Sequence, residues 1–205
     1  YTKKRLFLGG GFILCALCLL ITFIGDDQFH TRFWTNYLHN TVFFTGIALM
    51  SLFILAAFTT AFAGWSTLIK RIWEAYSLFL IPGLILLLLV VAGIWGHWHH
   101  LYHWADADAV KTDRILLGKS GFLNKYWYTF GTLIIVGMWI FFARKIRSHS
   151  LAEDVNGQGV DFSYHRKIRI LSVIFLPIAG FTSAAMIWQW IMSLDAHWYS
   201  TLFAW

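Results

Sequence analysis

Tyr76-Ser-Leu-Phe-Leu-Ile-Pro-Gly-Leu-Ile-Leu-Leu-Leu-Leu-Val-Val-Ala-Gly-Ile-Trp95 decides the fold class. The stretch contains no Asp, Glu, Lys, Arg or His. A helix rises about 1.5 Å per residue, so one of this length crosses the roughly 30 Å hydrocarbon core of a bilayer. In hydrocarbon every backbone N–H and C=O must pair internally, so the run reads as a helix rather than an open strand. Pro82 and Gly83 inside it predict a kink.

Working outward, four further runs share this character. Together the five cover about 6–24, 41–63, 76–95, 127–143 and 170–191, and none holds an ionisable Asp, Glu, Lys, Arg or His. The chain therefore reads as an all-α, polytopic membrane bundle of about five transmembrane helices, a single membrane domain over 1–205. Composition agrees. Hydrophobic residues make up 59% and charged residues 13% of the chain, against about 45–50% and 25% in soluble domains. Tyr1 and Trp205 do not read as natural termini, so the sequence is expected to be part of a longer chain. Gly25-Asp26-Asp27 after the first run reads as an anchor's flank rather than a signal-peptide cleavage site.

The basic residues set an orientation. Lys3, Lys4, Arg5, Lys70, Arg71, Arg144, Lys145, Arg147, Arg166, Lys167 and Arg169 fall on one side, and Arg32, Lys111, Arg114, Lys119 and Lys125 on the other. The richer side is expected in the cytoplasm, which places the amino terminus there. In a bacterium the segments rich in Asp and His then face the periplasm. The net charge of +6 is accounted for by these loops and does not point to nucleic acid. Trp34, Trp73, Trp95, Trp127 and Trp190 are expected at the interfaces, where indole rings favour the headgroup layer. The stretch 154–161, Asp-Val-Asn-Gly-Gln-Gly-Val-Asp, reads as a flexible cytoplasmic loop.

Cys15 and Cys18 lie in the first run and read as two small buried apolar residues. Leu19 follows them where a c-type haem attachment needs His. All nine histidines lie outside the runs, so the spans are not expected to hold a haem between two buried histidines. No H-E-x-x-H, P-loop or G-x-S-x-G motif is present.

Two stretches concentrate polar chemistry. In Gly96-His-Trp-His-His-Leu-Tyr-His-Trp-Ala-Asp106, a continuing helix puts His99 and His103 on one face, and His100 and His103 likewise. His97, His99, His100, His103 and Asp106 are then candidates for a proton relay, for hydrogen bonds to a quinone headgroup, or for a metal. The same residues also read as an interfacial patch packed on a partner. No metal site is assigned. The second stretch is Trp190-Ile-Met-Ser-Leu-Asp-Ala-His-Trp-Tyr-Ser-Thr-Leu-Phe203, whose ionisable pair is Asp195 and His197. Ser193 or Asp195 reads equally as a helix cap. Gln189, polar near the end of the last run, is expected to face other helices and make a structural hydrogen bond.

The second stretch resembles the W-[IL]-M-S-x-D-P-H-W-[FY]-S-T-[IL]-[FY] hallmark of ActF-type membrane subunits of bacterial alternative complex III, a quinol:cytochrome c oxidoreductase with NrfD-like architecture. Ala63-Gly-Trp-Ser66, Leu80-Ile-Pro-Gly83, His100-Leu-Tyr-His-Trp-Ala-Asp106 and Gly118-Lys-Ser-Gly-Phe-Leu-Asn124 fall in that family's order. The resemblance spans about residues 40–205. It implies a subunit of about ten helices in two four-helix bundles, of which this chain supplies the amino-terminal half. It also implies no cofactor bound by the chain itself, with menaquinol or ubiquinol as the substrate of the complex. Haem c and iron–sulfur clusters belong to partner subunits: multihaem and monohaem cytochromes, an iron–sulfur subunit and an NrfD-like membrane subunit, with a terminal oxidase as a further partner. Under this resemblance His99, His103 and Asp106 would meet the quinol and its protons, with Asp195 and His197 as a periplasmic exit. Gln189 stands where the family has Asp, Ala196 where it has Pro, and Ala204 where it has Gly. A scaffold subunit without a quinone site and an unrelated transporter are the competing readings.

Overall fold

A computed structural model describes residues 2–156 and 162–204. The loop expected at 154–161 lies mostly outside the described residues. Among those described there are helices and no strands. Eight α-helices follow in order: α1 Thr2–Ile24, α2 Thr31–Thr60, α3 Lys70–Ser77, α4 Leu80–Gly96, α5 Ala107–Thr112, α6 Arg114–Lys119, α7 Lys125–Asn156 and α8 Ser163–Trp190. Five segments are long and apolar enough to cross a membrane, with α3 and α4 together forming the third.

The helices outrun the apolar runs. α2 begins ten residues before the expected 41, and α7 spans 32 residues, about 48 Å. A helix has no reason to stop where hydrocarbon ends, because its backbone bonds are made whatever surrounds its side chains. Polar turns such as 144–156 therefore continue α7 beyond the apolar segment. His39 consequently lies on α2, and His149 and His165 lie on α7 and α8.

The break in the third span falls at Leu78 and Phe79, just before Pro82. Pro82 has no N–H to return to the Leu78 carbonyl, so the ladder is interrupted there. The proline then sits in the first turn of α4, where that donor would be spare. Pro177 lies within α8.

Four long helices close a ring. α2 packs on α4, α4 on α7, α7 on α8, and α8 back on α2, while α3 lies against α2. Small side chains allow the close crossings. A Cβ added at Gly83 would come within 2.6 Å of the Thr45 hydroxyl, and one at Gly131 within 3.3 Å of the Gln189 amide oxygen. Such approaches matter in lipid, where apolar burial alone gives little drive between helices. Trp139 and Trp190 donate across the α7–α8 pair to Thr182 and Thr132, each at 3.0 Å. Trp190, expected at an interface, is instead core and packs edge-on against Trp139.

α1 stands outside the ring and touches mainly α2. Nothing in its apolar window is buried. Cys15 and Cys18 are exposed on it rather than buried as expected, because no second helix covers that face. They border a cavity of about 570 Å³ between α1 and the α2–α4 pair.

Candidate functional site

α4 ends at Gly96, and His97 takes left-handed dihedrals, φ 54° and ψ 34°. The Trp98 N–H returns to the Gly93 carbonyl at 3.0 Å, which closes the end of the helix. The i,i+4 face expected for His99 and His103 therefore does not form. The chain loops back instead, and the two glycines make room for it. A Cβ on Gly93 would sit 2.5 Å from the His99 ring, and one on Gly96 2.6 Å from the Trp98 indole nitrogen. Helical periodicity carries no sign of this reversal.

The reversal nevertheless gathers five of the candidates. His97, His99, His100, His103 and Asp106 line one cavity of about 510 Å³, together with Tyr102 and Lys125. Four of the five are exposed, and only His99 is buried, at 6% exposure. His99 lies against the Trp34 ring. Its Nε2 stands 3.2 Å from the Val90 carbonyl. A carbonyl only accepts, so Nε2 carries the hydrogen and Nδ1 keeps the lone pair. That Nδ1 is buried with no hydrogen-bond partner among the described residues. Burial holds the imidazole below its usual 6.5, so His99 is neutral at pH 7.

Tyr102 fixes the loop from beneath. Its hydroxyl donates to the Trp190 carbonyl at 2.8 Å and lies 3.0 Å from the Tyr128 hydroxyl. Burial pushes the Tyr102 phenol well above its usual 10, so it stays protonated. The bond to Trp190 joins the histidine loop directly to the 190–203 stretch.

Asp195 and His197 do not line the histidine cavity. His197 Nε2 lies 2.6 Å from Asp113 Oδ2 instead, and 3.9 Å separate His197 Nδ1 from Asp195. Asp113 also caps α6, accepting from the Ile115 and Leu116 N–H groups. The Ile115 N–H above all, with Leu116 and His197, holds its carboxyl below the usual carboxylate range. Lys119 donates to the Ala196 carbonyl. The 190–203 stretch is thus tied down on the α5–α6 segment. Neither Ser193 nor Asp195 caps a helix: the Ser193 hydroxyl bonds the Gln189 carbonyl, and Asp195 accepts from the His197 N–H.

Gln189 does face the neighbouring helices and is fully buried. The hydrogen bond expected of it is missing, since both amide atoms lack a partner among the described residues.

At the other end of the bundle lies a charge network that the sequence did not suggest. Arg71 bonds the Glu74 and Asp154 carboxylates and donates to the Ser150 carbonyl. Lys70 and His165 flank Glu153 at 3.4 and 3.5 Å. Its local signal is Lys70, Arg71 and Glu74 together on α3; their partners come from α7 and α8, more than seventy positions away. Among the described residues no group of three or more His, Cys, Asp or Glu could hold a metal ion. Neither a family model nor a curated protein matches this chain.

Proposed function

We propose that this chain is a membrane subunit of a bacterial respiratory quinol:cytochrome c oxidoreductase of the alternative complex III type. In this reading it sits in the inner membrane with its amino terminus in the cytoplasm. One observation carries the proposal. The 190–203 stretch, which bears the resemblance, is joined by Tyr102 to the loop whose histidines line a single cavity. The closed ring of four helices supports reading the chain as one half of an NrfD-like subunit of about ten helices.

Quinol oxidation releases two electrons and two protons. The neutral His99 lines the cavity as the proton acceptor, and His103 and Asp106 stand on the exposed wall to pass protons to water. The electrons leave to haem c and iron–sulfur centres in partner subunits. His99→Ala and His103→Ala, assayed as quinol:cytochrome c reductase in the intact complex, are expected to lower kcat on the order of 100-fold. His99 must be unprotonated to accept. Wild-type activity should therefore fall as pH drops below the His99 pKa, and His99→Ala should lose that limb. Unchanged rates and pH profiles in both variants would remove the site.

A scaffold role is the second reading. The lack of ionisable residues in the apolar runs, with Gln189 where the resembled family has Asp, favours it. Loss of assembly without a selective kinetic defect would mark it.

A further inference from the structure

α7 and α8 carry six basic residues, Arg144, Lys145, Arg147, Arg166, Lys167 and Arg169, toward the end of the bundle opposite the histidine cavity. Ile146 of α7, Ile168 of α8 and Phe62, just past α2, line one cavity there, so the three segments lie at one level. Among the described residues none of the six has a carboxylate partner. The acidic groups described at this end are already engaged. Arg71 holds Glu74 and Asp154, and Lys70 and His165 flank Glu153. The described residues therefore leave an excess of positive charge here.

Exposed apolar side chains meet these cations from two directions. On the helices, Phe141, Ile170, Val173 and Ile174 face outward on the side nearer the bundle centre. Such surface belongs in hydrocarbon, so the cations stand where hydrocarbon gives way to headgroups. The second set follows α2. Phe62 takes a left-handed φ of 55°, and the Ala63 N–H returns to the Phe58 carbonyl at 3.0 Å, so the chain leaves the helix axis there. Phe62, Trp65, Leu68 and Ile72 are then all exposed, Leu68 at 89%. Trp65 and Leu68 lie in a short 3₁₀ helix, Gly64–Leu68, and Ile72 in α3. A short segment with such a row is stable when it lies at the boundary between headgroups and acyl chains.

Arg169 joins the cations to the apolar row. Its guanidinium lies 3.7 Å above the Phe62 ring. A guanidinium stacked in this way keeps its N–H donors at its edges, where two together can grip a phosphate. Arg166 lies one turn earlier on the same face of α8. We propose that this end of the bundle binds anionic phospholipid: Phe62, Trp65, Leu68 and Ile72 enter the acyl boundary, and Arg166, Lys167 and Arg169 hold the lipid phosphates beside them. The inference does not depend on the quinol reading. Charge complementarity selects the occupant. A zwitterionic lipid carries its own cation next to the phosphate, so unneutralised positive charge favours an anionic one. An acidic protein would answer the cations but not the apolar row; an anionic phospholipid answers both.

The test uses the full chain in phosphatidylcholine bilayers, with spin-labelled phosphatidylglycerol or spin-labelled phosphatidylcholine as the probe. The anionic probe is expected to associate about fivefold more strongly or better, because each Lys or Arg near an anionic lipid contributes about that factor. Arg166→Gln, Lys167→Gln and Arg169→Gln together should remove most of the preference. Lys111→Gln with Arg114→Gln, at the opposite end, should keep it. In the unaltered chain, raising salt from about 0.15 M to about 1 M shortens the Debye length from about 8 Å to about 3 Å and should weaken the preference. A nitroxide on Leu68→Cys, in a Cys15→Ser, Cys18→Ser background, should collide more with oxygen than with a water-soluble nickel chelate. Equal association of the two lipids, or a preference that survives both salt and the triple substitution, would overturn the inference and leave the cations to an acidic protein. A Leu68 label reached chiefly by the nickel chelate would overturn it as well.

Discussion

Gln189 carries a cost at the residue scale. Its side chain is fully buried on α8 with neither amide atom paired among the described residues, and the Gly131 backbone is close beside it. A buried polar group left unpaired costs about 1–3 kcal/mol. Gln189→Leu keeps much of the volume and removes both orphan atoms. It should leave thermal stability in detergent unchanged or raise it by about 1–3 kcal/mol. A loss of more than about 1 kcal/mol would show that the amide has a partner the bundle alone does not supply. The sequence marked Gln189 as polar and inward-facing, and both are correct. It did not reveal the missing bond, because pairing depends on which atoms of α7 lie opposite.

Helix ends depend on a few backbone positions at the scale of the element. Gly93 and Gly96 let His99 and Trp98 fold onto α4, and His97 accepts a left-handed conformation to start the reversal. Gly93→Ala places a methyl group where the His99 ring lies, and that ring is wedged between α4 and Trp34. The substitution should cost about 1–3 kcal/mol and expel His99 from its bond to Val90. Thermal unfolding would report the first effect, and a rise in the His99 pKa followed by NMR the second. The sequence could not locate this reversal, since a histidine-rich stretch continues a helix as readily as it ends one. The spans themselves were legible because a long uncharged run has few solutions in lipid. Their ends were not, because α2 and α7 keep their hydrogen-bond ladders through charged turns that hydropathy reads as loops.

The two ends of the whole molecule differ in kind. One carries the histidine cavity, the Tyr102 bond and the 190–203 stretch. The other carries paired charges from α3, α7 and α8 around a buried carboxylate. Clusters contiguous in the chain, such as 96–106, could be picked out in advance. The Arg71, Glu74 and Asp154 network could not, because folding assembles it from distant segments. The exposed Cys15 and Cys18 were misjudged for a related reason: an apolar run states that a helix enters lipid, not whether another helix covers it.

The most direct test of that account is to isolate the chain from its native membrane under mild detergent. Quinol:cytochrome c reductase activity and the mass spectra of the accompanying subunits would be measured together. The account predicts an active preparation holding multihaem cytochrome c, an iron–sulfur subunit and a second, NrfD-like membrane protein. A chain that purifies alone, without haem and without quinol oxidation, would contradict it.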